Sequence, residues 1–178
     1  MDRKSLIGVL ALGLGLFGGP AARPSASPSL GEALQAYLRV FPEVKNIGVI
    51  YSESKNEDPI KNLTQSAKEK NILVVPIKVS SIKEFPGACR EAGSKADTVW
   101  VLEDSIYSVV PDAWSYFVLL AMRNRVKIVV PSEKALASGG LFYFSEEKEI
   151  VINLRILKVL GLKVSPEAGP VKYYGASS

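Results

Sequence analysis

Apolar positions along this chain fall into two alternating kinds of segment: unbroken runs, and stretches where they recur every three or four residues. The first periodic stretch is "SLGEALQAYLRVFPE", where Leu30, Leu34, Tyr37, Leu38 and Phe41 share one helical face. Ser29 stands before it as an N-cap, with Glu32 three residues on, the spacing of a capping box. "NIGVIY" (46–51) is then an apolar strand. "DPIKNLTQSAKEKN" is the next helix, with Asp58 at the cap, Pro59 at the first helical position, and Ile60, Leu63 and Ala67 on one face. "ILVVPIKV" (72–79) is a second strand, and "FPGACREAGSK" a shorter helix starting at Pro86, since proline is poorly tolerated deeper in a helix. "DTVWVL" (97–102), "KIVV" (127–130) and "GLFYF" (140–144) are three further strands. Between them lie helices over 111–125 and 132–138, and a long helix over 146–161 closes the pattern.

Strands that are continuous apolar runs are buried on both faces, and strands that alternate with helices build a parallel sheet between helical layers. The expected fold is therefore α/β: a single flavodoxin-like three-layer domain, with a five-stranded parallel sheet and helices on both faces. It occupies residues 30–164, followed by a loose C-terminal tail over 165–178.

The first twenty-nine residues follow a different logic. "MDRK" is a charged head, "SLIGVLALGLGLFGG" an apolar stretch and "PAARPSASPS" a tail of small residues, the order of a secretory signal peptide. The apolar run is about fifteen residues, short of the roughly twenty that a membrane-spanning helix needs. Residues 1–22 are expected to be a signal peptide cleaved near Ala21 or Ala22, and 23–29 a Pro/Ser-rich spacer. The mature chain is expected to be exported to the periplasm, an uncleaved membrane anchor being the alternative.

Composition narrows the chemistry. The net charge of +4 is scattered rather than clustered with aromatics, so no nucleic-acid partner is expected. There is no histidine, which removes the commonest general base, the commonest metal ligand and every triad built on it. Cys89 is the only cysteine and can form neither an internal disulfide nor a zinc cluster. The chain has no G-x-G-x-x-G after its first strand, no Walker A loop and no G-x-S-x-G elbow. A phospho-receiver would need an acidic pair after strand one and a lysine after strand five, where this chain has "SES" and "FSEE". The expectation is a non-enzymatic protein, with no cofactor and no metal.

In an open parallel sheet, ligands sit beyond the carboxyl ends of the strands. Here those ends run into "SES" (52–54), "EDS" (103–105), "PSE" (131–133) and Ser145-Glu146. Hydroxyls and carboxylates thus converge on one edge. An ammonium would suit Asp104 or Glu53, and a carboxylate would suit Ser52, Ser105 and Ser132, aided by the helix amides that follow. The same residue types are also ordinary helix caps, so each carries a structural reading beside the functional one. A second candidate surface is the helix over 111–125, whose apolar residues surround its axis, with Trp114, Phe117 and Leu120 prominent. Such a helix is buried, or covered by a partner or a second copy.

The segments "FPEVKNIGVIYSES", "FPGACREAGSKADTVWVLEDSIYSVVPDAW", "RNRVKIVVPSEKALASGGLFYFS" and "NLRILKVLGLKV" resemble, in order and spacing, the C-terminal lobe of one group of ABC-transporter substrate-binding proteins. That group includes tryptophan- and tyrosine-binding members. The resemblance runs from about Leu30 to Val164. It implies a type I periplasmic-binding-protein lobe that holds a small molecule such as an amino acid. By matching motif positions, it places Ser52 and Glu53, Asp104 and Ser105, and Ser132 and Glu133 at the ligand. Two departures stand out: the asparagine-proline usual after strand one is "SES", and "SEEKEIV" replaces a glycine-rich, tyrosine-containing stretch after strand five. The resemblance covers one lobe of a two-lobed clamp, so a homodimer or a separately encoded first lobe would complete the cleft, and an ABC permease would be the further partner. The alternative from a different class is an envelope interaction or accessory protein that keeps the lobe fold without ligand transport.

Overall fold

The computed structural model describes residues 28–52, 57–102 and 111–176, without the side chains of Ile82 and Pro111. The expected signal peptide and most of the spacer lie outside the described residues. The elements in chain order are α1 (Leu30–Val40), β1 (Asn46–Ser52), α2 (Glu57–Lys68), β2 (Leu73–Val79), α3 (Phe85–Lys95) and β3 (Thr98–Val101). There follow α4 (Pro111–Asn124), β4 (Lys127–Val130), α5 (Glu133–Ala137), β5 (Phe142–Phe144), β6 (Ile150–Asn153), α6 (Leu154–Leu160) and β7 (Val171–Tyr174). Short 3₁₀ turns at Ile82–Glu84 and Pro166–Ala168 precede α3 and β7.

The strands form one seven-stranded sheet in the order β2-β1-β3-β4-β5-β6-β7. β1 to β5 are mutually parallel in the flavodoxin-like order 2-1-3-4-5, as the unbroken apolar runs require. The sheet is mixed, however, and not the five-stranded parallel one expected. β6 runs antiparallel to β5, and β7 pairs parallel with β6. The sequence pattern merges β6 and α6 into one helix, and three local features separate them. The run Ile150-Val151-Ile152 is β-branched and suits a pleated surface. Asn153 then caps α6, its side chain accepting from the Ile156 amide at 3.2 Å and donating to the Leu136 carbonyl at 2.9 Å. Finally, the link over 145–149 is a tight turn with Lys148 at φ +61°, too short for a parallel crossover, so the next strand must come back antiparallel.

The tail is not loose either. The Ser165 amide donates to the Val40 carbonyl at 3.1 Å, Ala168 is buried, and β7 extends the sheet. Asp58, expected as a cap, lies inside the first turn of α2 behind Glu57, where both carboxylates face the positive end of the helix dipole.

Helices cover both faces, and successive strand residues feed opposite cores. α1, α2 and α6 pack with Ile47, Val49, Trp100, Val129 and Phe142 on one face. α3, α4 and α5 pack with Ile50, Val99, Val101, Ile128 and Val130 on the other. Gly48 in β1 lets α3 approach, since a Cβ there would meet the Ala92 Cβ at 3.1 Å. α1 reaches β1 through a short turn and runs back along the sheet. Its amino end therefore lies at the carboxyl ends of the strands.

Candidate functional site

The strand-end edge combines two kinds of group. Ser52 closes β1 and is half-buried. Ser132, just past β4, caps α5 by accepting from the Ala135 amide at 3.3 Å, and Glu133 is exposed in the first turn of α5. Glu53, Asp104 and Ser105 lie outside the described residues. The predicted hydroxyl of Ser132 thus has a structural task, as its residue type allows.

Beside these residues the fold leaves a cavity of about 210 Å³. The amino end of α1 walls it with Pro28, Leu30 and Ala33, and the strand ends with Trp100–Leu102, Val129–Pro131, Tyr143 and Phe144. Glu146 stands at its lip. The volume is about that of seven bulk waters and below the roughly 300 Å³ at which drug-sized pockets begin. It suits a small apolar body.

Two devices hold the walls. At the amino end of α1, Ser29 and Glu32 form the reciprocal capping box. Lys148 of the β5–β6 turn donates to Glu32 Oε1 at 2.6 Å, which ties the helix to the turn that carries Glu146. The Lys148 hydrogen bond, followed by those from the Ser29 amide and hydroxyl, holds the Glu32 carboxyl at about 2, below its ordinary 4.5. Beneath the cavity lies an aromatic layer. Trp100 packs edge-to-face with Tyr37 at 5.9 Å, and Tyr37 with Phe142 at 5.1 Å. The Tyr37 hydroxyl is locked to Thr98 Oγ1 at 2.7 Å, and burial pushes its phenol well above the usual range. The Trp100 indole N–H is closed off from solvent and, among the described side chains, is the buried polar group without a hydrogen-bond partner.

Of these cavity residues, Glu146 and Pro131 stand in the strand-end segments read from the sequence. The others were not nominated, because they meet only through the antiparallel run of α1. A larger recess of about 730 Å³ along α1 mixes Glu32 and Glu167 with Arg39, Lys70 and Lys148, and so offers no single chemistry. Among the described residues no group of three or more acidic, histidine or cysteine side chains could hold a metal ion. No helix among them is long and apolar enough to cross a membrane.

The helix proposed as an interaction surface is mostly turned inward. Trp114 and Phe117 are buried in the chain's own core and Leu120 is half-buried. The Trp114 indole donates to the Ser138 carbonyl at 2.9 Å, and its ring meets Phe117, which in turn meets Phe85. The exposed apolar residues of α4 are instead Tyr116 and Leu119, at 55% and 66%.

The profile of a family described as "ABC transporter substrate binding protein" matches residues 31–143, more than half of the chain. No curated protein matches the sequence. Among solved structures, a conserved domain protein from Vibrio cholerae is similar at TM-score 0.67 and 17% identity, covering 82% of this chain and 60% of that one. An ABC domain in complex with L-Trp from Streptococcus pneumonia is similar at TM-score 0.67 and 19% identity, with coverages of 80% and 60%. A ligand-free, open substrate-binding protein with adhesive properties from Clostridium difficile gives TM-score 0.64 and 19% identity, with coverages of 85% and 61%. At these identities the likeness is one of fold, and the chain spans about three-fifths of the length of each.

Proposed function

The chain belongs to the ABC transporter substrate-binding protein family, and from that premise we propose that it is an exported solute-binding component. Its ligand, a small molecule such as an amino acid, sits beyond the carboxyl ends of the strands. The observation that carries this reading is the apolar cavity at the ends of β3, β4 and β5, next to the topological switch point between β1 and β3. The L-Trp held by the Streptococcus protein supports an amino-acid-sized ligand. In this reading Ser52, Glu53, Asp104, Ser105, Ser132 and Glu133 supply polar contacts to the ligand. A separate lobe or a second copy closes over them, and an ABC permease receives the ligand.

Native mass spectrometry of the protein, isolated from its own cells with minimal washing, tests this. A retained mass of a few hundred daltons or less supports the reading, and a bare monomer contradicts it. Ala33→Phe, which fills the cavity from the α1 side, should reduce that retention at least about tenfold. A second reading, an envelope accessory protein, draws on Tyr116 and Leu119, which leave an apolar patch on α4. A complex with another polypeptide that Leu119→Asp dissolves would favour it.

A further inference from the structure

The charge around the cavity runs against that of the whole chain. The protein carries a net +4, yet among the described residues no lysine or arginine lines the cavity, and Glu146 is the one charged group there. The β5–β6 turn explains why that carboxylate is left over. Lys148, the turn's own cation, is drawn to Glu32, and Glu149 is paired with Lys172. Glu146 makes no ion pair with any described residue. Sequence past the strand ends points the same way: in the three residues after the carboxyl ends of β1, β3, β4 and β5 stand Glu53, Glu103, Asp104, Glu133, Glu146 and Glu147, against Lys55 alone. The positive helix ends nearby are those of α1 and α5, and Glu32 and Glu133 in their first turns already match them.

We propose that the ligand is an apolar amine, or an amino acid read through its ammonium alone, with the apolar body in the cavity and the cationic head at Glu146. This rests on the solute-binding reading and narrows it. A free carboxylate on the ligand has no cationic counterpart among the described residues that line the cavity, and Glu146 repels it. A carbon skeleton with a single ring, head outward, matches the size and the open mouth.

Calorimetric titration of the protein with four probes of one skeleton separates the possibilities: phenethylamine, L-phenylalaninamide, L-phenylalanine and 3-phenylpropanoate. The amine and the amide should bind tightest, the zwitterion less well, and the acid about tenfold or more below the amine. That figure combines attraction of one charge with repulsion of the other at an exposed carboxylate. Glu146→Gln should weaken the amine about threefold and narrow the amine-to-acid ratio, and Glu146→Lys should reverse the order. Because Glu146 is an exposed turn residue, both variants should unfold at the wild-type urea midpoint, which checks that the fold is intact. Equal or tighter binding of the acid overturns the proposal, and so does a ratio that Glu146→Gln leaves unchanged. If all four probes fail while native mass spectrometry still finds a retained small molecule, this proposal falls and the solute-binding reading stands. If neither experiment finds a ligand, both fall.

Discussion

The two faces of the sheet treat their tryptophans differently. On the face covered by α3, α4 and α5, Trp114 fills the core and gives its N–H to the Ser138 carbonyl, and apolar packing continues to the strand ends. On the face covered by α1, α2 and α6, Trp100 is as deeply buried but its N–H has no partner among the described residues, and the packing opens into a cavity above it. A buried donor left unmade costs about 1–3 kcal/mol, and an unfilled space forfeits contacts besides. Stability favours the first arrangement throughout. The second lies where open α/β sheets keep their ligands.

The largest contrast should come from side-chain deletion. Phe117→Ala, on the filled face, should lower stability by about 3–5 kcal/mol in urea unfolding. Leu30→Ala, on the cavity wall, should cost about 1 kcal/mol, because the lost methyls border space that already exists. Next is Gly139→Ala. Gly139 sits at φ +121° and a Cβ there would lie 2.8 Å from Val118, so strain and overpacking together should cost about 2–3 kcal/mol. A finer comparison uses conservative changes: Trp114→Phe and Trp100→Phe remove the same atoms, but only the first breaks a hydrogen bond. Trp114→Phe should therefore be the worse by about 1 kcal/mol, and equal losses would break the contrast between the faces. The smallest effect is at Glu32, whose folded-state carboxyl is held at about 2, below its ordinary 4.5. A depressed carboxyl stabilises above pH 4.5 and loses that contribution as pH falls towards 2. The melting temperatures of wild type and Glu32→Gln should accordingly differ slightly at neutral pH and converge across that window.

Much of the architecture was legible because it rests on local pattern. The apolar runs through β1, β3 and β4 and the capping box at Ser29 and Glu32 specify their elements with little outside help. The last quarter was not, because β6 and α6 are both apolar and adjoin without a glycine or proline between them. What separates them is the Asn153 cap and the tight turn at Lys148, neither of which leaves a strong periodic mark. β7 escaped because four mostly exposed residues at a sheet edge need no apolar run. At the candidate site, the strand-end positions Ser52 and Ser132 followed from topology. The cavity did not, since Leu30 and Ala33 reach the ends of β3 and β4 only through the packing of α1 across the sheet. Trp114 and Phe117 were expected at a contact surface because a helix apolar all round does not disclose which side its own domain covers.

The most direct test of a ligand seat above Trp100 uses the fact that the chain has two tryptophans. In a proton–nitrogen correlation spectrum of labelled protein they give two indole signals, assigned with Trp114→Phe. On addition of phenethylamine, the ring current of a phenyl group in the cavity should shift the Trp100 signal and leave Trp114 in place. A Trp100 signal that stays fixed while the amine binds, or a shift confined to Trp114, would contradict the account.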